Sequence, residues 1–390
     1  MTGVFAVFRN ELRRIVSLGP AFATLIAAAA IYAVFYPQPY LNEALRKVPI
    51  ALVDQDGTFA SRELARRVDA TEFVAIAKVL PDLGSAEREV YARNVYGILI
   101  VPRDFERELL HGRPSPIALY ADASYFLMYQ RVSGGVSAVA RSFGAEVEAA
   151  RLIGVGVDPA LAVAASDPMP LTAVPLFNPQ GGYATYVLPA AFVLILQQTL
   201  LIGVGLLGTT PEGNLGAGRA GTPAAGPIAR VVGKGLAYLA LEAFILPLYL
   251  IALPYFYGLP RLGSVAAILA LAVPFVLSVG FLGLVVAAIF RNPLAVQLTF
   301  AAIGLPFFYL AGFAWPTEAI PKLVQVIAVF VPSTIAIDAL VRVAQLGAPI
   351  ADVRTQYWLL WGLVAFYGSI AVMLEKVKQQ PTGTGHSVSA

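Results

Sequence analysis

The sequence predicts an α-helical integral membrane protein with six transmembrane helices and an α/β domain inserted on the extracytoplasmic side. Three observations predict it. The 390 residues are 58% hydrophobic and only 13% charged, with a mean hydropathy of +0.73, where an average soluble chain carries about 25% charge. Six stretches approach or exceed the ~20 apolar residues needed to cross a hydrocarbon core. Charge is also segregated: only Glu212, Arg219, Arg230, Lys234, Glu242, Arg261 and Arg291 are charged between Tyr183 and Trp315, whereas the shorter segment Arg46 to Arg113 is dense with Asp, Glu and Arg.

Residues 1–17 read as an amphipathic interfacial helix. "VFAVFRNELRRIVSL" places Phe5, Phe8, Leu12, Ile15 and Val16 on one helical face, with Arg9, Arg13 and Arg14 away from it, a pattern suited to headgroup contact. An ordinary cytoplasmic extension of the first span fits the same residues. The first transmembrane helix, 18–36, lies in the uncharged "LGPAFATLIAAAAIYAVFYP". It is long enough to span and lacks an A-x-A cleavage site, so it reads as a retained anchor.

Residues 37–182 read as the extracytoplasmic α/β domain. Strands are expected near Ile50–Asp54, Phe73–Val79, Gly97–Val101 and Ile117–Ala121, with helices at Phe59–Val68, Ser85–Asn94 and Phe105–Leu110 and a longer one from Tyr125 to about Ile153. Strands separated by single helices favour a small sheet with helical cover. In "VPRDFERELLHG", Asp104 is placed for an N-cap and Gly112 for a C-cap. The pair Asp54 and Asp56 in "DQDGT" reads as turn and cap chemistry rather than as a catalytic carboxylate pair.

Residues 183–374 form the membrane domain, with spans at Tyr183–Leu207, Val232–Tyr257, Ser264–Phe290, Leu298–Phe313 and Tyr357–Leu374. "VQVIAVFVP" is too short to cross, and Pro316, Pro321 and Pro332 interrupt it, so a re-entrant segment is expected near 314–345, with a seventh span as the alternative. Residues 375–390 form a tail. Positive loops stay cytoplasmic. Arg9, Arg13 and Arg14, then Arg219, Arg230 and Lys234, then Arg291, then Lys376 and Lys378 fall on one side, against Arg261 alone on the short opposite loop. Both termini are therefore expected in the cytoplasm.

Several function classes fall away. The net charge of +3 is dispersed, without the basic and aromatic interleaving that nucleic-acid binding needs. Cysteine is absent and the two histidines, His111 and His386, are badly placed for a metal site. "GPIARVVGKG" has six residues between its glycines and Gly235 after Lys234, so it is no phosphate loop. No catalytic residue, metal or cofactor is expected. Inside the spans, Gln197, Gln198 and Glu242 are costly polar groups. Two readings stay open for them: a substrate path, or a satisfied contact between helices.

The order of parts resembles the type-2 permease family of ABC transporters, in the exporter branch with a large domain after the first membrane helix. The resemblance rests on "VPIALVDQDGTFASRELARRVDATEF", "RNVYGILIVPRDFERELLHGRPSPIALYADAS", "LFNPQGGYATYVLPA" with Asn178 and Pro179 before the span, and "LAGFAWPTEAIPKLVQVIAVFVPSTIAIDALVRVAQLGAPIADV", where Gly312, Pro316, Pro321, Pro332, Ala339, Arg342 and Gly347 match. It implies a permease subunit of the bacterial inner membrane that moves a substrate outward. Its implied partners are a separate cytoplasmic ATPase subunit, a second permease (the same chain or another), membrane lipids and, in some members, a periplasmic adaptor. The family docks its ATPase through a charged cytoplasmic loop after the second span. Here that loop is "TTPEGNLGAGRAGTPAAGPIARVVGKG", in which Glu212 and Gly213 match the motif but Gly and Pro weaken any helix that follows. That departure leaves room for another reading: a membrane-anchored scaffold or receptor whose extracytoplasmic domain binds a ligand or partner. An ion-coupled transporter using Glu242 is a third, without the inverted repeats such folds often carry.

Overall fold

The computed structural model describes residues 2–42, 44–211, 225–290 and 292–379. The chain divides into a helical unit, residues 1–43 and 176–390, and an α/β unit, residues 44–175. The helical unit begins with α1 (Thr2–Ser17) and the apolar α2 (Gly19–Tyr40), which includes a π-helical stretch at Ala23–Ala28.

The α/β unit follows as β1 (Val48–Asp54), α3 (Phe59–Ala70), β2 (Val74–Val79), α4 (Leu83–Tyr91), β3 (Gly97–Val101), α5 (Phe105–Leu110), β4 (Ala118–Ala121), α6 (Phe126–Gly154) and α7 (Pro159–Ser166). The sheet order is β2-β1-β3-β4. β1 runs parallel to both neighbours, with Val48 opposite Val74 and Asp54 opposite Val101, and β4 is antiparallel to β3. β1 is apolar on both faces because helices cover both: Ile50 and Leu52 pack with Leu64, Val68, Phe105 and Val132, while Ala51 and Val53 pack with Ala86 and Val95.

Capping here differs from the sequence expectation. Asp104 sits in the left-handed region (φ 61°) and makes no side-chain cap. Asp56 caps α5 instead, its carboxylate accepting from the Phe105 N–H (3.0 Å) and the Glu106 N–H (3.1 Å). Local spacing favoured the nearer aspartate; the tertiary fold supplies a farther one. Asp54 closes its own turn by accepting from the backbone of Asp56 and Gly57.

The helical unit resumes with α8 (Tyr183–Thr209), α9 (Pro227–Phe256), α10 (Val265–Phe290) and α11 (Pro293–Leu310). The short α12 (Lys322–Ala328) and α13 (Pro332–Ala344) come next, bent by 86° at the break between them. α14 (Arg354–Gln379) is last. With α2, six helices among the described residues are long and apolar enough to cross a membrane, and the bent pair is either a broken span or a re-entrant loop. α11 starts five residues before the expected Leu298, because Asn292 caps it by accepting from the Leu294 and Ala295 N–H groups and Pro293 opens it. Pro247 removes an N–H inside α9, and a π-helical stretch, Leu248–Ala252, follows it. α8 is the centre of the unit, with 83% of its apolar window buried.

Candidate functional site

Polar residues gather at three levels along α8. At its C-terminal end, α1 lies against α9, and its most buried residues are Val7, Glu11, Arg14 and Ile15, of which only Ile15 belongs to the apolar face the sequence singles out. Phe5 and Val16 stay exposed, available to hydrocarbon. Gly233 on α9 permits the approach: a Cβ there would stand 2.8 Å from both the Val4 carbonyl oxygen and the Val7 Cβ. Arg14, expected at the headgroups, is 2% exposed, beside Glu11 at 1%. Its burial is matched by partners. Nη1 donates to Glu11 Oε2 (2.9 Å), and Nη2 donates to the carbonyls of Leu207 (2.6 Å) and Thr210 (2.9 Å) at the end of α8. Tyr238 donates to Glu11 Oε1 at 2.7 Å. Burial pushes the Glu11 carboxyl up, but Lys234, Arg14 and the Tyr238 hydroxyl outweigh it and hold the group below its ordinary range. An open cavity of about 370 Å³ adjoins this network, lined by Arg14, Arg230, Lys234, Glu375 and Lys378 among others.

Half-way along α8 stand the two predicted glutamines. Gln197 is the fifteenth of 27 residues in the helix. Being neighbours, the two side chains point about 100° apart and meet different helices. Gln198 Nε2 donates to the Phe300 carbonyl of α11 (3.1 Å), while its Oε1 has no partner among the described residues. Gln197 is fully buried, and its Oε1 accepts from the Ser333 N–H of α13 at 2.7 Å. Glu242 lies on the buried face of α9, 2% exposed, and its Oε2 has no hydrogen-bond partner among the described residues. Among those residues no hydrogen bond joins Glu242 to either glutamine, so the three do not form one cluster.

The break between α12 and α13 lies at the same level. The Val331 N-cap offers no side-chain cap and Pro332 has no N–H to offer. Neighbouring helices supply what the local chain lacks. Gln197 takes the Ser333 N–H, Tyr367 of α14 donates to the Phe330 carbonyl (2.6 Å), and Thr334 donates to the Leu310 carbonyl of α11 (3.2 Å). At the far end of α13, Gln345 donates to the Thr185 carbonyl at 2.7 Å. Residues 333 and 345 thus pair with 197 and 185, so α13 runs antiparallel along half of α8. At that end of the helical unit a second cavity, about 290 Å³, is lined by Tyr40, Asn178, Gln180 and Tyr257 among others.

This arrangement, spans around one buried helix with a half-length broken helix alongside it, coincides with a match in sequence. A family model for ABC-2 family transporter proteins matches residues 18–373. The chain belongs to the ABC-2 transporter family. The ABC-2 transporter is also 22% identical over 320 residues to the linearmycin resistance permease protein LnrN of Bacillus subtilis (strain 168), a match covering 79% of this chain and 82% of that one. No solved structure matches it. The proposed ATPase-coupling residues of this transporter, Glu212 and Gly213, lie outside the described residues. Sequence reasoning missed Ser333, Tyr367 and Gln345 as partners of α8 and its neighbours. One signal was present: Pro332-Ser333-Thr334 after an apolar run has the form of a helix start.

Proposed function

We propose that this ABC-2 permease is the membrane subunit of an exporter, moving a substrate outward with ATP hydrolysed by a separate cytoplasmic ATPase subunit. The observation that carries the reading is a coincidence: the family match over residues 18–373 encloses a helical unit with buried polar atoms that have no partner among the described residues at Gln197, Gln198 and Glu242. Such groups are expensive in an apolar interior and mark paths for polar cargo.

In this reading the membrane is the bacterial inner membrane. Both termini and the 210–226 segment face the cytoplasm, and the α/β unit lies outside, where it shapes the exit or meets a periplasmic adaptor. A second permease, the same chain or another, completes the path. The loop holding Glu212 and Gly213 receives the ATPase stroke. It emerges beside Thr210, whose carbonyl Arg14 holds, so a pull on the loop acts directly on the α1–α8 contact. The relative's name, a resistance permease, supports outward movement of a harmful compound.

The test is reconstitution in proteoliposomes. The chain alone is expected to hydrolyse no ATP. With its cognate ATPase, it is expected to change the hydrolysis rate and to move substrate to the side that carries the α/β unit. Appreciable hydrolysis by the chain alone, or an ATPase rate indifferent to its presence, would refute the reading.

A further inference from the structure

The break between α12 and α13 leaves donors without acceptors. Gln197 and Ser333 are both 0% exposed, and neither Gln197 Nε2 nor Ser333 Oγ has a partner among the described residues. The amide cannot be turned over to relieve this, because its oxygen is needed by the Ser333 N–H at 2.7 Å. Turning it would set donor against donor and leave the oxygen idle. Two N–H bonds of Gln197 and the Ser333 hydroxyl are therefore left beside the N-terminus of a 13-residue helix. That end carries the positive pole of the helix dipole.

The other polar groups of the break are already committed. The Phe330 carbonyl accepts from Tyr367, the Thr334 hydroxyl donates to Leu310, and the Thr334 N–H turns back to the Val331 carbonyl at 3.1 Å. What is left over is rich in donors and sits at the middle of two spans: Gln197 is fifteenth of 27 residues in α8 and Tyr367 fourteenth of 26 in α14. Half-helix N-termini at mid-depth are where transporters hold anionic and oxygen-bearing groups.

We propose that the α12–α13 break is a binding site for an oxygen acceptor, formed by the Gln197 amide, the Ser333 hydroxyl and the N-terminus of α13. Water fills it at rest. During passage a hydroxyl, carbonyl or carboxylate oxygen of the transported molecule replaces the water. This rests on the permease reading for the cargo but not for the site itself. Gln197 then has two tasks: its oxygen caps the broken helix, and its nitrogen meets the ligand. A substrate drawing on that nitrogen also bears on the cap, which ties occupancy of the site to the geometry of the break.

The natural chain has no cysteine, so a single Ser333→Cys variant carries the only thiol. In native membrane vesicles holding the full chain, it is expected to react with a small sulfonate-bearing methanethiosulfonate at least tenfold faster than Ala336→Cys, a buried position one turn along α13. After normalisation to a free thiol, the sulfonate reagent is expected to outpace the trimethylammonium analogue, and Gln197→Leu is expected to abolish that preference. An inert Ser333→Cys, a preference for the cation, or a preference that survives Gln197→Leu would overturn the site. None of these readings requires transport. A second variant guards against a misfolded cysteine mutant: Gln197→Glu keeps the cap oxygen and replaces the two donors. It is expected to lower transport per folded molecule at least tenfold at unchanged abundance, and unchanged transport would also overturn the proposal. Failure of the wild-type complex to transport would refute the permease reading and leave the labelling result standing.

Discussion

Replacing Glu11 by Gln should destabilise the helical unit far more than an ordinary substitution near a chain terminus. The carboxylate is 1% exposed and faces Arg14 at 2.9 Å and the Tyr238 hydroxyl at 2.7 Å, with Lys234 the strongest of its favourable charges. Removing one partner of a buried pair costs about 3–5 kcal/mol, since the other charge is left uncompensated. Gln preserves the volume and an oxygen for Tyr238, which places the cost near the lower end, about 3 kcal/mol. At about 2–4 °C per kcal/mol for a body of this size, Tm falls by about 6–12 °C. Arg14→Met should cost less, because Glu11 keeps Tyr238 and Lys234, and the double variant should fall short of the sum by more than about 0.5 kcal/mol. The pH dependence has a definite sign. A carboxyl held below its ordinary value of 4.5 contributes stability that is complete above that value and is lost as pH falls through the folded one. Thermal unfolding of the purified full chain, by fluorescence of Trp315, Trp358 and Trp361, reads all of this. Wild type should lose stability on acidification more steeply than Glu11→Gln. A Tm within about 2 °C of wild type, or additivity in the double variant, would refute the reasoning.

In the α/β unit, Asp56→Ala should remove the cap of α5 at a cost of about 1 kcal/mol, read as faster hydrogen exchange at Phe105 and Glu106. Burial raises the Asp56 carboxyl, but the Thr58 hydroxyl and the α5 N–H groups outweigh it and hold it low; this contribution too should vanish as pH falls through the folded value, and exchange unaltered at neutral pH would count against it. For topology, Ser115→Cys and Ser124→Cys should react with an impermeant thiol reagent from outside intact cells and Thr222→Cys should not; labelling of Thr222→Cys from outside would invert the arrangement. For Glu242, Gln should keep the fold while changing transport per folded molecule, and Leu should abolish transport without lowering abundance, since it removes a buried acid whose Oε2 has no partner among the described residues. Unchanged specific activity in both would retire Glu242 as a path residue.

The extent to which sequence reveals structure here follows the range of each interaction. The strands and helices of residues 44–175 were readable because turns such as Asp54–Gly57 and short apolar runs are local signals. The spans were readable because hydrocarbon sets their length. Span ends were read less well where a cap decided them, as at Asn292 and Pro293, since a hydropathy ruler counts only apolar residues. The polar residues inside the spans were found by their cost, but their partners were not. Gln197 meets Ser333 across 136 residues, and Glu11 meets Tyr238 across 227, distances at which no spacing rule operates. Arg14 was placed at the headgroups for the same reason: its periodicity is that of a surface cation, and it is Glu11 together with the distant carbonyls of Leu207 and Thr210 that makes burial tolerable.

Three long-range contacts converge on α8, and that has a mechanical consequence. α8 is held at its C-terminal end by Arg14, at its middle by the Gln197–Ser333 bond, and near its start by Gln345 on the Thr185 carbonyl. Between these points it has little freedom to bend or slide. A Cβ on Gly203 would overlap Leu25 of α2, and one on Gly205 would overlap Val296 of α11, so both neighbours lie against bare backbone. A helix packed this closely moves as a body, and interiors at such density switch between arrangements rather than deform gradually. In the exporter reading, displacement of the loop beyond Thr210 therefore reaches the break at Ser333 through about 20 Å of stiff helix, the twelve or thirteen residues from Gln197 to Thr210 at 1.5 Å each. The polar contacts are the parts able to exchange partners along that line: among the described residues Gln197 has an unused nitrogen and Ser333 an unused hydroxyl, and Arg14 has a choice between two carbonyls. In that reading the glycine contacts transmit the motion and the hydrogen bonds at α8's ends and middle decide where it stops.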